Sequence, residues 1–268
     1  MDATADLTSR GPLFPERLPA IFRRIAAAPA SADLVSWWWL SRWSFPPGET
    51  SRQHLLAFPS SNLAVEEGMV GLAGPTTRAS TRDLTGTGWV VGARLRPAAL
   101  AALAPEPARL RDRYLPLTEP ELHAEVAAAV GQGLEAGIKA LQAWLRARTG
   151  PLSAEALLAN AIAERADTDP GVRTVADLAA AVHVSQRTLH RLTERYVGLT
   201  PYALIRRRRL QEAAAAVRCQ PERDLAAVAT EYGFSDQAHL AREFRQLLGR
   251  NPAAYREQAS DRTAAADA

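Results

Sequence analysis

The stretch from Thr174 to Arg256 writes one helical unit twice, and that repetition is the strongest constraint the chain places on its own fold. The first copy runs TVADLAAAVHVSQRTLHRLTERYVGLTP and the second RDLAAVATEYGFSDQAHLAREFRQLLGRNP. Each opens with a short helical pattern, Val175, Leu178, Ala179 and Val182, then Leu225, Val228, Ala229 and Tyr232. A tight turn follows at His183 and at Gly233, where a left-handed backbone costs glycine nothing. A longer helix comes next, opening at Ser185 or at Ser235/Asp236, which are good N-cap residues. Its inner face carries Leu189, Leu192 and Tyr196 in one copy and Leu240, Phe244 and Leu247 in the other. Both copies close on Gly-x-Thr/Asn-Pro, in which the glycine ends a helix, Thr200 or Asn251 caps the next and proline sits in its first turn.

Helix, tight turn, helix is the arrangement that places a second helix in the major groove of DNA. The crossing needs a small residue on the first helix, and Ala179 and Ala229 fill that place four residues before each turn. A single such match also describes plain helical hairpins; two copies with matching caps are far harder to obtain by chance.

Residues 172–257 resemble the DNA-binding domain of AraC/XylS-type transcription regulators. GFSDQAHLAREFRQLLGRNPAAYR follows that family's glycine-phenylalanine entry, second recognition helix and Pro-x-x-Tyr-Arg ending, and RRRRLQEAAAAV resembles its joining helix, with Arg209, Leu210 and Ala213 at matching places. His183 departs from the more usual glycine; histidine tolerates positive φ better than bulky residues do, which implies strain with the turn retained. The resemblance implies a regulator reading DNA with helices 185–196 and 236–247, about 10 bp apart on one face of the duplex. Base edges then meet Gln186, Arg187, His190 and Arg191 in the first helix and Gln237, Ala238 and Arg242 in the second. Ser185, Thr200, Arg206, Arg207, Arg208, Ser235, His239 and Asn251 are the candidates for the DNA backbone and the helix starts that face it. The run Arg206–Arg209 spans just over one helical turn, so not all four can face one way; Arg209 suits packing and the others solvent or phosphate.

Charge agrees with this division. Residues 170–257 hold 14 arginines and no lysine against 9 acidic residues, so a basic segment sits beside a mildly acidic remainder in a chain of net charge +3. Lys139 is the only lysine, so arginine abundance by itself says little and position carries the argument.

Ahead of the repeat the texture changes. DLVSWWWLSRWSF alternates with a strand period, Val35, Trp37, Trp39, Trp43 and Phe45 sharing one face and Ser41 the exception. RQHLLAF, SNLAVEE, MVGLAG and GWVVGARL follow as short runs bounded by turn formers, the pattern of a small β-barrel or sandwich. RLPAIFRRIAAAPA reads as a short helix or arm, and residues 98–112 as a helix interrupted at Pro105 and Pro107. Helices are expected over 119–130, about 134–149 and 153–165, and ADTDPGV (166–172) as the linker. FPSSNLAVEEG, GLAGPTTR and GWVVGARLRPAAL resemble a β-rich module of unknown function often found ahead of such DNA-binding domains. Its usual Phe-Arg-Pro-Gly-Gly is Leu95-Arg96-Pro97-Ala98-Ala99 here, a change bearing on the loop's shape.

The expected fold is therefore α+β in two domains. Residues 1–115 form a β-rich sensor or regulatory domain, 116–166 a helical connector or dimerisation segment, and 167–268 an all-α domain of two helix-turn-helix units joined by a linker helix. Trp37, Trp39, Trp43 and His54 are the candidate ligand pocket, since tryptophan stacks on flat or cationic ligands, although aromatic strands also simply build cores. No enzymatic activity, cofactor or metal is expected. One histidine precedes residue 120, and no phosphate loop, nucleophile elbow or paired acid and base stands out. Cys219 is alone, which excludes an intramolecular disulfide and a thiolate metal cluster. The N-terminus has no signal-peptide core and no run is long enough to span a membrane, so a cytoplasmic protein is expected. The partners are duplex operator or promoter DNA, with RNA polymerase, a small-molecule effector and a homodimer left open. The competing class is a ligand-binding or interaction protein whose helical repeat packs without reading DNA.

Overall fold

Ten residues, Val35–Ser44, form a long strand, β2, about which the first half of the chain is built. The structure, a computed structural model, describes residues 21–55, 57 and 59–257, with Ile21 and His54 by backbone alone. Strand β1 (Ile21–Ala26) pairs antiparallel with β2, so the expected helix or arm is a strand over the part described. The correction has a simple cause: β2 offers an open edge, and six residues from Ile21↔Arg42 to Ala26↔Trp37 fill it. The chain continues through β3 (Thr50–Leu55), β4 (Asn62–Glu66), β5 (Met69–Ala73), β6 (Ser80–Thr85), β7 (Thr87–Leu95) and β8 (Tyr114–Leu117). Six strands make one antiparallel sheet in the order β1-β2-β7-β4-β5-β8, while β3 and β6 pair as a separate ribbon.

The sheet's inner face is Trp38 and Leu40 of β2, Leu63 and Val65 of β4, Val70 and Leu72 of β5, and Val91, Ala93 and Leu95 of β7. Three helices pack on it: α1 (Pro97–Leu103), α2 (Pro120–Val130) and α3 (Leu134–Thr149), with Leu122, Val126, Ile138, Leu141 and Leu145 in the same core. The Leu134–Leu145 stripe therefore covers this sheet. A register irregularity between Val35 and Trp37 shifts the alternation of β2. Val35 thus enters the inner core, and Trp37 and Trp39 lie on the other face, which corrects the expectation that Val35 shares their side. Pro97 to Ala99, where the N-terminal resemblance departs, form the first turn of α1 rather than a loop.

The second half is all helix: α4 (Ala154–Thr168), α5 (Val175–Ala181), α6 (Gln186–Val197), α7 (Pro201–Cys219), α8 (Leu225–Glu231) and α9 (Gln237–Leu248), followed by a helical turn at 252–257. Two cores hold it. Leu178, Ala179, Leu189, Leu192 and Ile205 pack with Ala156, Ala159 and Ile162 of α4; Leu210, Val217, Val228, Ala229, Leu240, Phe244 and Tyr255 form the other. The stretch 116–166 is thus divided between the two halves, α2 and α3 closing on the sheet and α4 on the first helical unit. Asn160 of α4 is buried at the junction; its amide donates to the Asp33 carbonyl at 2.8 Å and its Oδ1 accepts from Ala98 N at 2.9 Å. Among the described residues, no helix is long and apolar enough to cross a membrane.

Candidate nucleic-acid interface and sheet cavity

The two helices expected to read DNA are α6 and α9, and local chemistry fixes where each begins and ends. Ser185 caps α6, its hydroxyl accepting from Thr188 N at 3.1 Å, and Asp236 caps α9, accepting from His239 N at 2.6 Å. Gly198 and Gly249 end them at φ 76 and 71. Thr200 accepts from Ala203 N at the start of α7, and Asn251 accepts from Ala254 N at 2.8 Å. Ser235 bonds Asp236 and the His239 ring, locking the loop before α9. The two turns are alike: His183 has φ 55 and Gly233 φ 72. The left-handed region penalises a side chain by about 1–2 kcal/mol, partly offset by glycine's greater freedom in the unfolded chain. His183→Gly should therefore raise stability by up to about 1 kcal/mol in urea unfolding, and His183→Val should lower it. Equal stabilities for the two variants would contradict a strained turn.

Inner faces of both helices are buried, and Gln186, Arg187, His190, Arg191, Gln237, Ala238 and Arg242 are all exposed. Arg191 is oriented by a residue that sequence reasoning did not single out. Glu155 of α4 accepts from Arg191 at 2.8 Å, from Arg195 at 2.7 Å and from the Tyr196 hydroxyl at 3.1 Å. The Arg191 hydrogen bond, first among these contacts, holds the Glu155 carboxyl below its usual range. A solvent-exposed pair of this kind is weak and screened beside a two-pronged base contact, so it orients the guanidinium without withholding it.

The arginine run resolves by position on α7. Arg207 and Arg208 are each 3 % exposed, which corrects the expectation that they meet solvent or phosphate. They lie three and four residues beyond the buried Leu204, hence on its face of the helix; Arg208 donates to Glu212 at 2.6 Å and to the Val172 carbonyl at 2.6 Å. Arg206 reaches Glu243 and, at 2.9 Å, Gln246, tying α7 to α9. Arg209 donates to the Tyr232 carbonyl at 2.7 Å and to that of Gly233, clamping the second turn while lying 5.2 Å from the Phe234 ring.

The sheet half touches the C-terminal ends of both α6 and α9. Arg111 donates to the Gly198 carbonyl at 2.7 Å, after α6. Ala57 N donates to the Leu247 carbonyl and Ala79 N to that of Gln246, each at 3.1 Å, in the last turn of α9.

Ala79 also lines a cavity of about 610 Å³ between the outer face of the sheet and the β3–β6 ribbon. Trp37 and Trp39 form part of its wall. Two glycines let wall rings lie close on the sheet: a Cβ at Gly92 would collide with the Trp39 ring, and one at Gly71 with that of Tyr114. Trp43 lies elsewhere, in a small cluster with Ala64, Leu84 and Val90, its indole N–H donating to the Thr85 carbonyl at 3.1 Å. It pins the ribbon to the sheet and does not line the cavity. The side chain of His54, the fourth expected pocket residue, lies outside the described residues.

Comparison with known proteins accords with both halves. Residues 178–258 match the helix-turn-helix domain family, and residues 23–116 match a domain of unknown function, DUF6597. The chain is 36 % identical over 76 residues to the HTH-type transcriptional activator RhaS of Pectobacterium carotovorum, covering 28 % of this chain and 27 % of that protein. It is 33 % identical over 125 residues to a protein named as an AraC-like transcription regulator in Streptomyces antibioticus, covering 46 % of this chain and 39 % of that one. The chain thus spans well under half the length of the curated relatives it matches. ToxT of Vibrio cholerae O395 is similar in structure with a TM-score of 0.41 at 11 % identity, over 89 % of this chain and 96 % of ToxT. Residues 178–258 are an AraC-type helix-turn-helix domain, set behind a DUF6597 domain in a chain whose relatives are AraC-family transcription regulators.

Proposed function

We propose that the chain is a sequence-specific DNA-binding transcription regulator, in which α6 and α9 read successive major-groove segments and the sheet half controls them. One observation carries the reading: the two helices present polar side chains at equivalent exposed positions, Arg191 and Arg242 among them, while their opposite faces fill two cores. Arginine forms a two-pronged bond to guanine and glutamine to adenine, so Gln186, Arg187, Arg191, Gln237 and Arg242 are the base readers, with His190 and Ala238 beside them. Ser185, Thr200, Ser235, His239 and Asn251 set the helix starts near phosphate. Arg206 acts through Glu243 as a positioning residue for α9. Control by a small ligand is favoured by the cavity, whose Ala79 holds the last turn of α9.

Selection of bound sequences from a random duplex pool tests this reading. The expected motif has two half-sites about one helical turn apart. Arg242→Ala should relax preference at one or two positions in one half-site only, at about 1–3 kcal/mol of discrimination. An unaltered motif in that variant would remove Arg242 from the readers, and no enrichment at low salt would favour a module that packs without reading DNA.

A further inference from the structure

The cavity has a charge character that an apolar pocket does not require. Five arginines line it, Arg24, Arg78, Arg82, Arg94 and Arg113, against two carboxylates. Both carboxylates are already engaged. Glu66 is ion-paired with Arg82 and accepts from the Tyr114 hydroxyl at 3.1 Å; Asp112 accepts from the Thr77 amide and hydroxyl, each at 2.7 Å. Elsewhere along the wall Arg24 and Arg94 converge on one ring, with guanidinium carbons 5.2 and 4.1 Å from the centre of Trp37. Burial, and then the charge of Arg94, bring Arg24 down to about 10, which leaves it a cation at neutral pH. Two like charges held together over an aromatic surface make a place that an anion stabilises and a cation does not.

We propose that this cavity binds an apolar organic anion, its hydrophobic body against Trp37 and Trp39 and its acidic group at Arg24 and Arg94. The proposal rests on the reading of the cavity as a ligand site. Guanidinium forks match the geometry of a carboxylate or sulfonate and form charge-assisted hydrogen bonds that strengthen away from water. The volume falls within the range of small-molecule sites, roughly 300–1,000 Å³. Arg94 also joins the cavity to the DNA-reading half, donating to Ser60 Oγ at 2.7 Å and lying 3.6 Å from Asp167 of α4. An anion drawing on Arg94 therefore competes with Asp167, and Ala79 gives the occupied cavity a second contact, to α9.

Two probes of one shape separate charge from greasiness: anilinonaphthalene sulfonate, and neutral N-phenylnaphthylamine, which keeps the rings and lacks the sulfonate. Binding to the full chain is read by energy transfer from tryptophan. The sulfonate should bind at least about tenfold more tightly, although water expels the neutral compound more strongly. Arg24→Gln should abolish that preference, leaving affinity for the neutral probe within about twofold, and Arg24→Lys should restore much of it. Equal or tighter binding of the neutral probe to the unchanged chain overturns the anion assignment while leaving a ligand site, as does a preference that survives in folded Arg24→Gln. Transfer to neither probe overturns both the proposal and the ligand-site reading, whereas DNA selection tests the reading helices separately. Should Arg24→Gln fail to fold, the comparison of the two probes on the unchanged chain decides.

Discussion

A fragment running from Leu152 to Glu257 is expected to fold as a cooperative helical unit and bind duplex DNA, and one beginning at Asp167 is expected to be largely unfolded. The difference is α4. Ile162 and Ala166 are fully buried and Ala159 is 1 % exposed, in one core with Leu178, Leu189, Leu192 and Ile205. Losing a large buried aliphatic side chain costs about 2–5 kcal/mol, and three buried alanines add to that. A domain of this size holds about 5–15 kcal/mol in total, so the truncation consumes most of it. The shorter fragment also loses Glu155, which orients Arg191 and Arg195. Thermal melts followed by circular dichroism read the folding, and a mobility shift with selected duplex reads the binding. A cooperative melt of the 167–257 fragment, within a few degrees of the longer one, would show that α4 is dispensable.

That boundary illustrates what local sequence does and does not carry. ADTDPGV has the residues of a linker, and the α4 helix does end within it, at Thr168. Turn chemistry reports where a helix stops, whereas domain membership depends on which face of that helix finds a core. The repeat was legible because its signals are local: caps at Ser185, Thr200 and Asn251, end glycines at 198 and 249, and a positive φ at both turns. The four strands expected after β2 are present, within a few residues at each end. Strands β6 and β8 escaped notice for opposite reasons. STRDLT is polar because it pairs in an exposed ribbon, and YLPL contains a proline that an edge position tolerates.

The cavity was half legible. Consecutive tryptophans announced an aromatic surface, but the arginines that give it charge come from four separated stretches of the chain and meet only when the sheet is assembled. Gly71 and Gly92 offered a usable signal, since glycine inside a strand often marks the close approach of another group. Arg207 and Arg208 show the converse. A run of like charges suggests a solvated face, yet a run longer than one turn must place some members inward, and here the inward pair falls in step with Leu204.

Adjacent tryptophans should part in their effects. Trp38→Ala should lower stability by about 3–5 kcal/mol, the range for truncating a fully buried aromatic, because Trp38 is 2 % exposed among Leu40, Leu63 and Val91 beneath the helices. Trp39→Ala should cost less than about 2 kcal/mol, because one side of its ring faces the cavity rather than packed atoms. Opposite sides of the sheet explain the contrast: the irregularity after Val35 puts even positions 38 and 40 in the core and odd positions 37 and 39 over Gly92 and the arginines. Urea unfolding reads the first difference and tryptophan transfer to the sulfonate probe the second. Trp39→Ala should lose most of that transfer and weaken binding while remaining folded, and the folded fraction of Trp38→Ala should keep its affinity. If Trp39→Ala proves the more destabilising of the two, the assignment of faces on β2 is wrong, and the aromatic wall proposed for the anion goes with it.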